Sequence, residues 1–216
     1  MSEAPAASSK PERPRPYAHA PRLPEGDSVD ARSLVRGKWL ELEVGPGRGG
    51  FLFERAEAVP EAGLVGLEIR RKWATIVDER LAKRGLGPRA RVFAEDAKDA
   101  LRRLGPDGVF ERAFLHFPDP WWKKRHTKRL VMGDVFLESV TRLLRVGGEL
   151  FVQTDVESRA EEYEAQLLRC ERLRPDGDSP SSSRMAENPY GARSPREHRA
   201  IADGLPVHRM RFVRVA

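Results

Sequence analysis

Apolar and polar positions are spread unevenly along the 216-residue chain. From Gly37 onward, apolar runs of strand length alternate with stretches that repeat apolar residues at helical spacing, which predicts βαβ units around a parallel sheet. The strand-like runs are 38–44 (KWLELEV), 64–68 (LVGLE), 90–94 (ARVFA), 110–116 (FERAFLH) and 149–154 (ELFVQT), with a final pair near 167–173 and 206–215. Helices are expected at about 49–58, 71–84, 97–104, 128–145 and 157–166. The fourth is the clearest, because Leu130, Val135, Val140, Leu143 and Leu144 recur close to the helical period and Gly147-Gly148 supplies a stop.

Outside this pattern the chain reads differently. Six prolines fall in the first 24 residues with little that can pack, so residues 1–33 read as a mostly disordered leader before a single domain at 34–216. The stretch 175–195, rich in Pro, Ser and Gly, reads as a long loop of a length that suits substrate contact or disorder. No apolar run approaches the roughly 18 residues needed to span a bilayer, and the N-terminus lacks the apolar core of a signal peptide. The single cysteine, Cys170, excludes an internal disulfide framework and agrees with a reducing cytoplasm. A monomer and a homodimer fit the sequence equally.

Charge changes the picture once it is located. The net charge is +6, yet residues 121–130 carry Lys123, Lys124, Arg125, Lys128 and Arg129 without an acid, and residues 181–216 carry seven arginines against three acids. Two basic patches on a slightly acidic body point to a polyanionic partner, most simply nucleic acid. Arginine-rich coding bias is the plainer account of the second patch, since 31 of the 39 basic residues are Arg.

Candidate chemistry gathers where strands end. ELEVGPGRGG at 41–50 follows the first strand, and Gly45, Gly47 and Gly49 let backbone approach a ligand where a side chain would collide; a tight strand-to-helix turn would need them too. Glu68, about 20 residues on, ends the second strand, where a carboxylate accepts from ribose hydroxyls. Glu43, just before the glycines, would oppose a pyrophosphate but suits the cationic amino and sulfonium groups of S-adenosylmethionine. Asp96 in AEDA ends the third strand, placed to bond an adenine amino group, to cap the next helix, or both.

The fourth strand runs into HFPDPWWKKRHTKR at 116–129. Ligands of open α/β sheets bind beyond the carboxyl ends of the strands, so this segment is expected beside the reactive end of the cofactor. Prolines on both sides of Asp119 restrict the backbone and hold its carboxylate in place. Trp121 and Trp122 offer faces for a base or walls for a pocket, and the basic run from Lys123 to Arg129 neutralises phosphates.

FPDPWWKKRHTKRLV resembles the signature block of the bacterial tRNA (guanine-N7-)-methyltransferase family. LEVGPGRG, GLEIRRKW and FVQTD at 151–155 resemble its other motifs, and the similarity covers roughly residues 38–215. The resemblance implies a Rossmann-like class I methyltransferase fold, a mostly parallel seven-stranded α/β sheet with helices on both faces. It implies methyl transfer from S-adenosylmethionine to N7 of a guanine in tRNA, the variable-loop guanine at tRNA position 46. It implies cofactor contacts at Glu43, Glu68, Asp96 and Asp119, beside Gly45, Gly47 and Gly49 of the glycine loop, and substrate contacts at Lys123, Asp155, Ser194 and Glu197, to which the basic run adds Lys124, Arg125, Lys128 and Arg129. The closing T-x-Y/F-E tetrapeptide of the family reads Ser194-Pro195-Arg196-Glu197 here, keeping the hydroxyl and the carboxylate but losing the aromatic third position.

Guanine N7 bears a lone pair and no proton, so its methylation needs placement rather than a base. That agrees with the lack of a Cys nucleophile, a His-Asp pair at catalytic spacing or a metal cluster; the five His are scattered at 19, 116, 126, 198 and 208. Asp119, and with it Asp155, is expected to accept from guanine N1–H and the exocyclic amino group, although Asp155 is equally placed to cap the helix at 157–166. The rival readings are a nicotinamide-dependent oxidoreductase, a noncatalytic RNA-binding relative, and a methyltransferase of another RNA or a small molecule.

Overall fold

The computed structural model describes residues 16–118 and 131–216. Its elements in chain order are β1 (Val29–Asp30), β2 (Trp39–Val44), α1 (Gly50–Ala58), β3 (Ala62–Leu67), α2 (Arg71–Lys83), β4 (Ala90–Phe93), α3 (Ala97–Arg103), β5 (Leu104–Gly105), β6 (Phe110–His116), α4 (Asp134–Leu143), β7 (Leu144–Thr154), α5 (Glu157–Leu168), β8 (Leu173–Pro175), β9 (Arg184–Met185), α6 (Pro195–Ala202) and β10 (His208–Arg214). The main sheet runs in the order β4-β3-β2-β6-β7-β10-β8, with β9 added on β10, while β1 and β5 form a separate two-stranded ribbon. All pairs from β4 to β7 are parallel, and β10 returns antiparallel between β7 and β8. The parallel core is what the alternation predicted, and the mostly parallel seven-strand path with helices on both faces is what the resemblance implied.

Strand alternation assigns the two faces. Leu40, Leu42 and Val44 of β2 join Val65, Leu115, Leu150 and Val152 in one core cluster under α3, α4 and α5. In α4, Phe136, Leu137, Val140 and Leu143 are buried at helical spacing, each worth roughly 1.5–3 kcal/mol of apolar burial. The other face is apolar only beside α1 and α2, where Leu52, Leu64, Val77 and Val92 pack. Across the centre of that face lie Glu41, Glu43, Arg112, His116 and Gln153, with Phe51, Phe114, Phe151 and Tyr190 filling the gaps between them. Glu41 is buried but compensated, since Arg55 Nε and Nη2 each donate to it at 2.7 Å and Arg112 adds a third bond at 3.2 Å.

Three expectations need correction. The strand expected at 167–173 begins later: Ala160, Tyr163 and Leu167 keep a helical period, α5 continues to Leu168, a turn follows, and the strand is Leu173–Pro175. The fourth helix begins at Asp134 within the described residues, because Gly133 holds an extended conformation. The disordered leader does not extend to residue 33. Residues 1–15 lie outside the described part, but Ala20, Leu23, Val29 and Ala31 are buried, and the Pro21 carbonyl accepts from Ala94 N–H at 2.7 Å. Prolines that discourage helix and sheet leave an extended strap, and a few apolar side chains suffice to seat it.

The loop at 175–195 is likewise packed. Tyr190 and Ala192 complete an aromatic cluster with Phe51, Phe114 and Phe151, and β9 pairs with β10. The Tyr190 hydroxyl donates to Glu149 at 2.7 Å. Burial pushes that phenol well above its ordinary range, and the neighbouring Glu149 carboxylate pushes it further.

Candidate functional site

From β2 the chain winds outward through β3 to β4, then returns to start β6 on the opposite side of β2. This reversal opens a crevice at the carboxyl ends of β2 and β6, where an open α/β sheet receives its ligand. A cavity of about 670 Å³ occupies it, lined by Val44, Gly45, Glu68, Ile69, Asp96 and Phe117 among others. That volume lies within the range of small-molecule and cofactor sites.

One wall is the glycine loop. Gly45, Gly47 and Gly49 all hold left-handed φ, at 76°, 54° and 76°, which side chains with a Cβ adopt at a cost. A Cβ added at Gly45 or Gly47 would enter open space, so these two are the residues that leave room for a ligand. Gly49 differs: its Cβ would lie 2.4 Å from Val77 Cγ1, so it serves the packing of α1 against α2. One of the three predicted glycines is therefore structural.

Of the predicted carboxylates, Glu68 and Asp96 line the cavity, while Glu43 is buried next to the lining residue Val44. Glu68 is 3% exposed; its Oε2 accepts from Gly47 N–H at 2.9 Å, and its Oε1 from Arg70 N–H at 2.9 Å and Arg70 Nε at 3.3 Å. A carboxylate offers about four acceptor positions, so one remains for a ribose hydroxyl, and a second opens if the exposed Arg70 side chain withdraws. Asp96 caps α3, accepting from Lys98 N–H at 2.9 Å, and lines the cavity as well. Glu43 is buried with Oε1 bonded to His116 Nδ1 at 2.9 Å, while its Oε2 has no partner among the described residues. An unpaired buried carboxylate oxygen is costly unless a donor reaches it.

The mouth of the site adds features that spacing does not reveal. His116 lines the cavity and packs on Phe51 at 4.3 Å between ring centroids, and its bond to Glu43 joins residues 73 apart in sequence. Ile69 is exposed at the cavity. Phe117, the first residue of FPDPW, holds φ 45°, a strained value for a residue with a Cβ, pinned by its N–H bond to Gln153 O at 2.8 Å. Residues 119–130, and with them Asp119, Trp121, Trp122, Lys123, Lys124, Arg125, Lys128 and Arg129, lie outside the described residues.

The substrate side departs from expectation. Asp155 follows β7 but does not cap α5, whose first turn starts from Val156; its Oδ2 instead accepts from Arg196 Nε at 2.9 Å and Nη2 at 2.5 Å. Ser194 caps α6, accepting from Glu197 N–H at 3.2 Å. Glu197 has no exposed surface: Oε1 accepts from Arg209 Nε at 3.1 Å and Nη2 at 2.9 Å, and Oε2 from Asn188 Nδ2 at 2.9 Å. Of the two residues expected to touch substrate, Glu197 has both oxygens engaged inside the protein and Ser194 uses its hydroxyl to start α6. The side chain that the tetrapeptide does bring to Asp155 is Arg196, the position at which it departs from the family pattern.

A family model described as "Putative methyltransferase" matches residues 38–210. A tRNA (guanine-N(7)-)-methyltransferase of Anaeromyxobacter dehalogenans is 40% identical over 185 residues, covering 85% of this chain and 90% of the relative. One of the same description from Myxococcus xanthus is 36% identical over 177 residues, covering 82% and 84%. In structure the chain is similar to a SAM-dependent O-methyltransferase of Thermotoga maritima, with TM-score 0.53 at 18% identity over 86% of this chain and 63% of that one. It is similar also to a geranyl diphosphate methyltransferase in complex with SAM, with TM-score 0.53 at 16% identity over 84% and 80%. At such identities the structural likeness speaks for the fold, which is the Rossmann-like class I methyltransferase fold.

Proposed function

We propose, from the premise that the chain belongs to the tRNA (guanine-N7-)-methyltransferase family, that it methylates N7 of a guanine in tRNA with the crevice between β2 and β6 as its cofactor site. The observation that carries the reading is the match to curated relatives over most of both chains. The cavity fits S-adenosylmethionine in chemistry as well as size. The room left by Gly45 and Gly47 suits close backbone approach, Glu68 suits ribose, Asp96 the adenine amino group, and Ile69 an apolar base face. The unpartnered Oε2 of Glu43 is an acceptor for the cationic amino group, which would remove the cost of leaving that oxygen unpaired. A nicotinamide dinucleotide fits less well, because its pyrophosphate would approach the same buried acid.

S-adenosylmethionine, when bound, would supply a sulfonium-activated methyl group open to attack by the N7 lone pair without prior proton removal, the S–CH3 bond breaking to leave the neutral thioether S-adenosylhomocysteine. The chain's own contribution is placement and charge. His116 holds one oxygen of Glu43 and so fixes the direction of the other. Asp119 and Asp155 accept from guanine N1–H and the exocyclic amino group, orienting N7 and offsetting the positive charge the base acquires. Lys123, Lys124, Arg125, Lys128 and Arg129 meet phosphates, giving binding that weakens steeply with salt. A tRNA substrate supports a cytoplasmic site of action. No helix among the described residues is long and apolar enough to cross a membrane.

The test is incubation with bulk unmodified tRNA and methyl-labelled S-adenosylmethionine, followed by nucleoside analysis. Label in 7-methylguanosine is expected. Label in another nucleoside would overturn the substrate assignment, and retention of the cofactor without transfer would favour the noncatalytic relative.

A further inference from the structure

The tetrapeptide Ser194-Pro195-Arg196-Glu197 is where this chain departs from the pattern its other motifs follow, and the structure accounts for each of its four residues. Ser194 starts α6 as its cap, and Pro195 at the first helical position needs no N–H partner. Pro195 also sits directly over the start of α1: a Cβ on Gly50 would meet Pro195 Cγ at 2.5 Å and Cδ at 2.6 Å. Glu197 anchors the helix from beneath through Arg209, and Arg209 pairs with Gln153 two residues before Asp155. His198 adds a tie to α1, with Nε2 2.7 Å from Glu54 Oε1. The first turn of α6 is therefore fixed against both the glycine-loop helix and the end of β7.

Arg196 projects from that fixed turn. Its Nε and Nη2 both fall on Oδ2 of Asp155, at 2.9 and 2.5 Å, so the guanidinium grips one oxygen and leaves Oδ1 without a partner among the described residues. The Asp155 side chain is 13% exposed, and that of Arg196 is 61% exposed. A bidentate pair would have occupied both oxygens; gripping one orients the carboxylate and keeps the other available. We propose that Arg196 is a positioning residue for the substrate base, acting through Asp155: it holds the carboxylate in one rotamer with Oδ1 presented to the guanine. In this chain a cation thus stands at the aromatic position of the tetrapeptide, and Glu197 is its anchor rather than a ligand of the base. The inference rests on the proposed methyl transfer to tRNA guanine and on the role of Asp155 within it.

The test is a double-mutant cycle on Arg196→Ala and Asp155→Ala, with a transcribed tRNA and labelled S-adenosylmethionine, and Arg196→Lys as the conservative variant. Misplacement of a contact group costs up to about 100-fold, so Arg196→Ala is expected to lower kcat about tenfold while KM for tRNA changes less. In the Asp155→Ala background the same change is expected to cost under about twofold, because coupled residues do not add. Arg196→Lys should recover most of the rate, as the ammonium reaches the same oxygen. S-adenosylhomocysteine affinity and melting temperature, measured on every variant, are expected to stay at their wild-type values. Additive losses, or an effect confined to KM, would make Arg196 an independent phosphate contact and overturn the proposal. If Asp155→Ala alone leaves turnover normal, the assignment of Asp155 fails, and if the wild-type protein methylates no tRNA, the proposed function fails instead.

Discussion

Replacing Glu197 with alanine separates a buried anchor from a substrate ligand. Glu197 has no exposed surface, and the Arg209 side chain it pairs with is 9% exposed. Truncation leaves the guanidinium inside the protein without its counter-charge, a change that costs about 3–5 kcal/mol. The lower end applies, because Arg209 Nη1 keeps its bond to Ala186 O at 2.8 Å and so is not stripped of every partner. For a domain of this size each kcal/mol moves the melting temperature by about 2–4 °C, so Glu197→Ala is expected to melt roughly 10 °C below the parent. Glu197→Gln retains an acceptor for Arg209 but turns an amide NH2 toward Asn188 Nδ2, itself a donor, so it should recover only part of that loss. Differential scanning calorimetry and urea titration measure both. A Glu197→Ala protein that melts within about 2 °C of the parent and yet fails to methylate tRNA would show that the carboxylate reaches the substrate and that the burial argument is wrong; an anchored pair lost from the interior cannot be that silent.

Further outcomes follow from the same geometry. Gly49→Ala forces a Cβ into left-handed backbone, which costs about 1–2 kcal/mol, and onto Val77 Cγ1 at 2.4 Å; adding Val77→Ala should recover part of the loss in a thermal melt, whereas equal melting of single and double variants would discount the clash. Glu68→Ala is expected to weaken S-adenosylhomocysteine about 100-fold in calorimetric titration, as a buried acceptor is removed, while Arg70→Ala should leave affinity unchanged or tighter; weakening by Arg70→Ala would mean that its side chain contacts the ligand. For Tyr190, burial and Glu149 raise the phenol above its ordinary 10.0, so its contribution to stability is complete below that pH and is lost as pH rises toward the folded value. Its phenolate absorbance should therefore appear only together with loss of near-ultraviolet circular dichroism, and a reversible titration in the intact fold would contradict the burial.

What the sequence made legible is governed by how local each signal is. The LELEV alternation of β2 placed Leu40, Leu42 and Val44 on one side, and the strand ends then put Glu43, the glycines, Glu68 and Asp96 around one crevice. The same alternation gives no hint that Glu41 and Glu43 are covered, because a polar residue on a strand reads alike whether it meets water or a buried Arg55. The His116–Glu43 pair spans 73 residues and the Glu197–Arg209 pair depends on β10 lying beside β7, so neither leaves a spacing to find. The loop at 175–195 had the composition of a mobile segment, yet one aromatic, Tyr190, was enough to seat it on Phe114 and Phe151 at 4.9 and 4.8 Å between centroids. Arg196 stood in the sequence only as a missing aromatic; its partner became visible when α6 was placed.

The strap that precedes β1 touches the cofactor site from behind. Leu23 N–H and the Arg22 guanidinium both bind Glu95, at 3.0 and 2.9 Å, and Glu95 is the neighbour of Asp96 in the turn that lines the cavity. An expression clone trimmed at residue 33 on compositional grounds would discard both donors, strand an acidic side chain in the cavity wall, and loosen the turn that carries Asp96. Residues that look like packaging are in that sense part of the cavity wall.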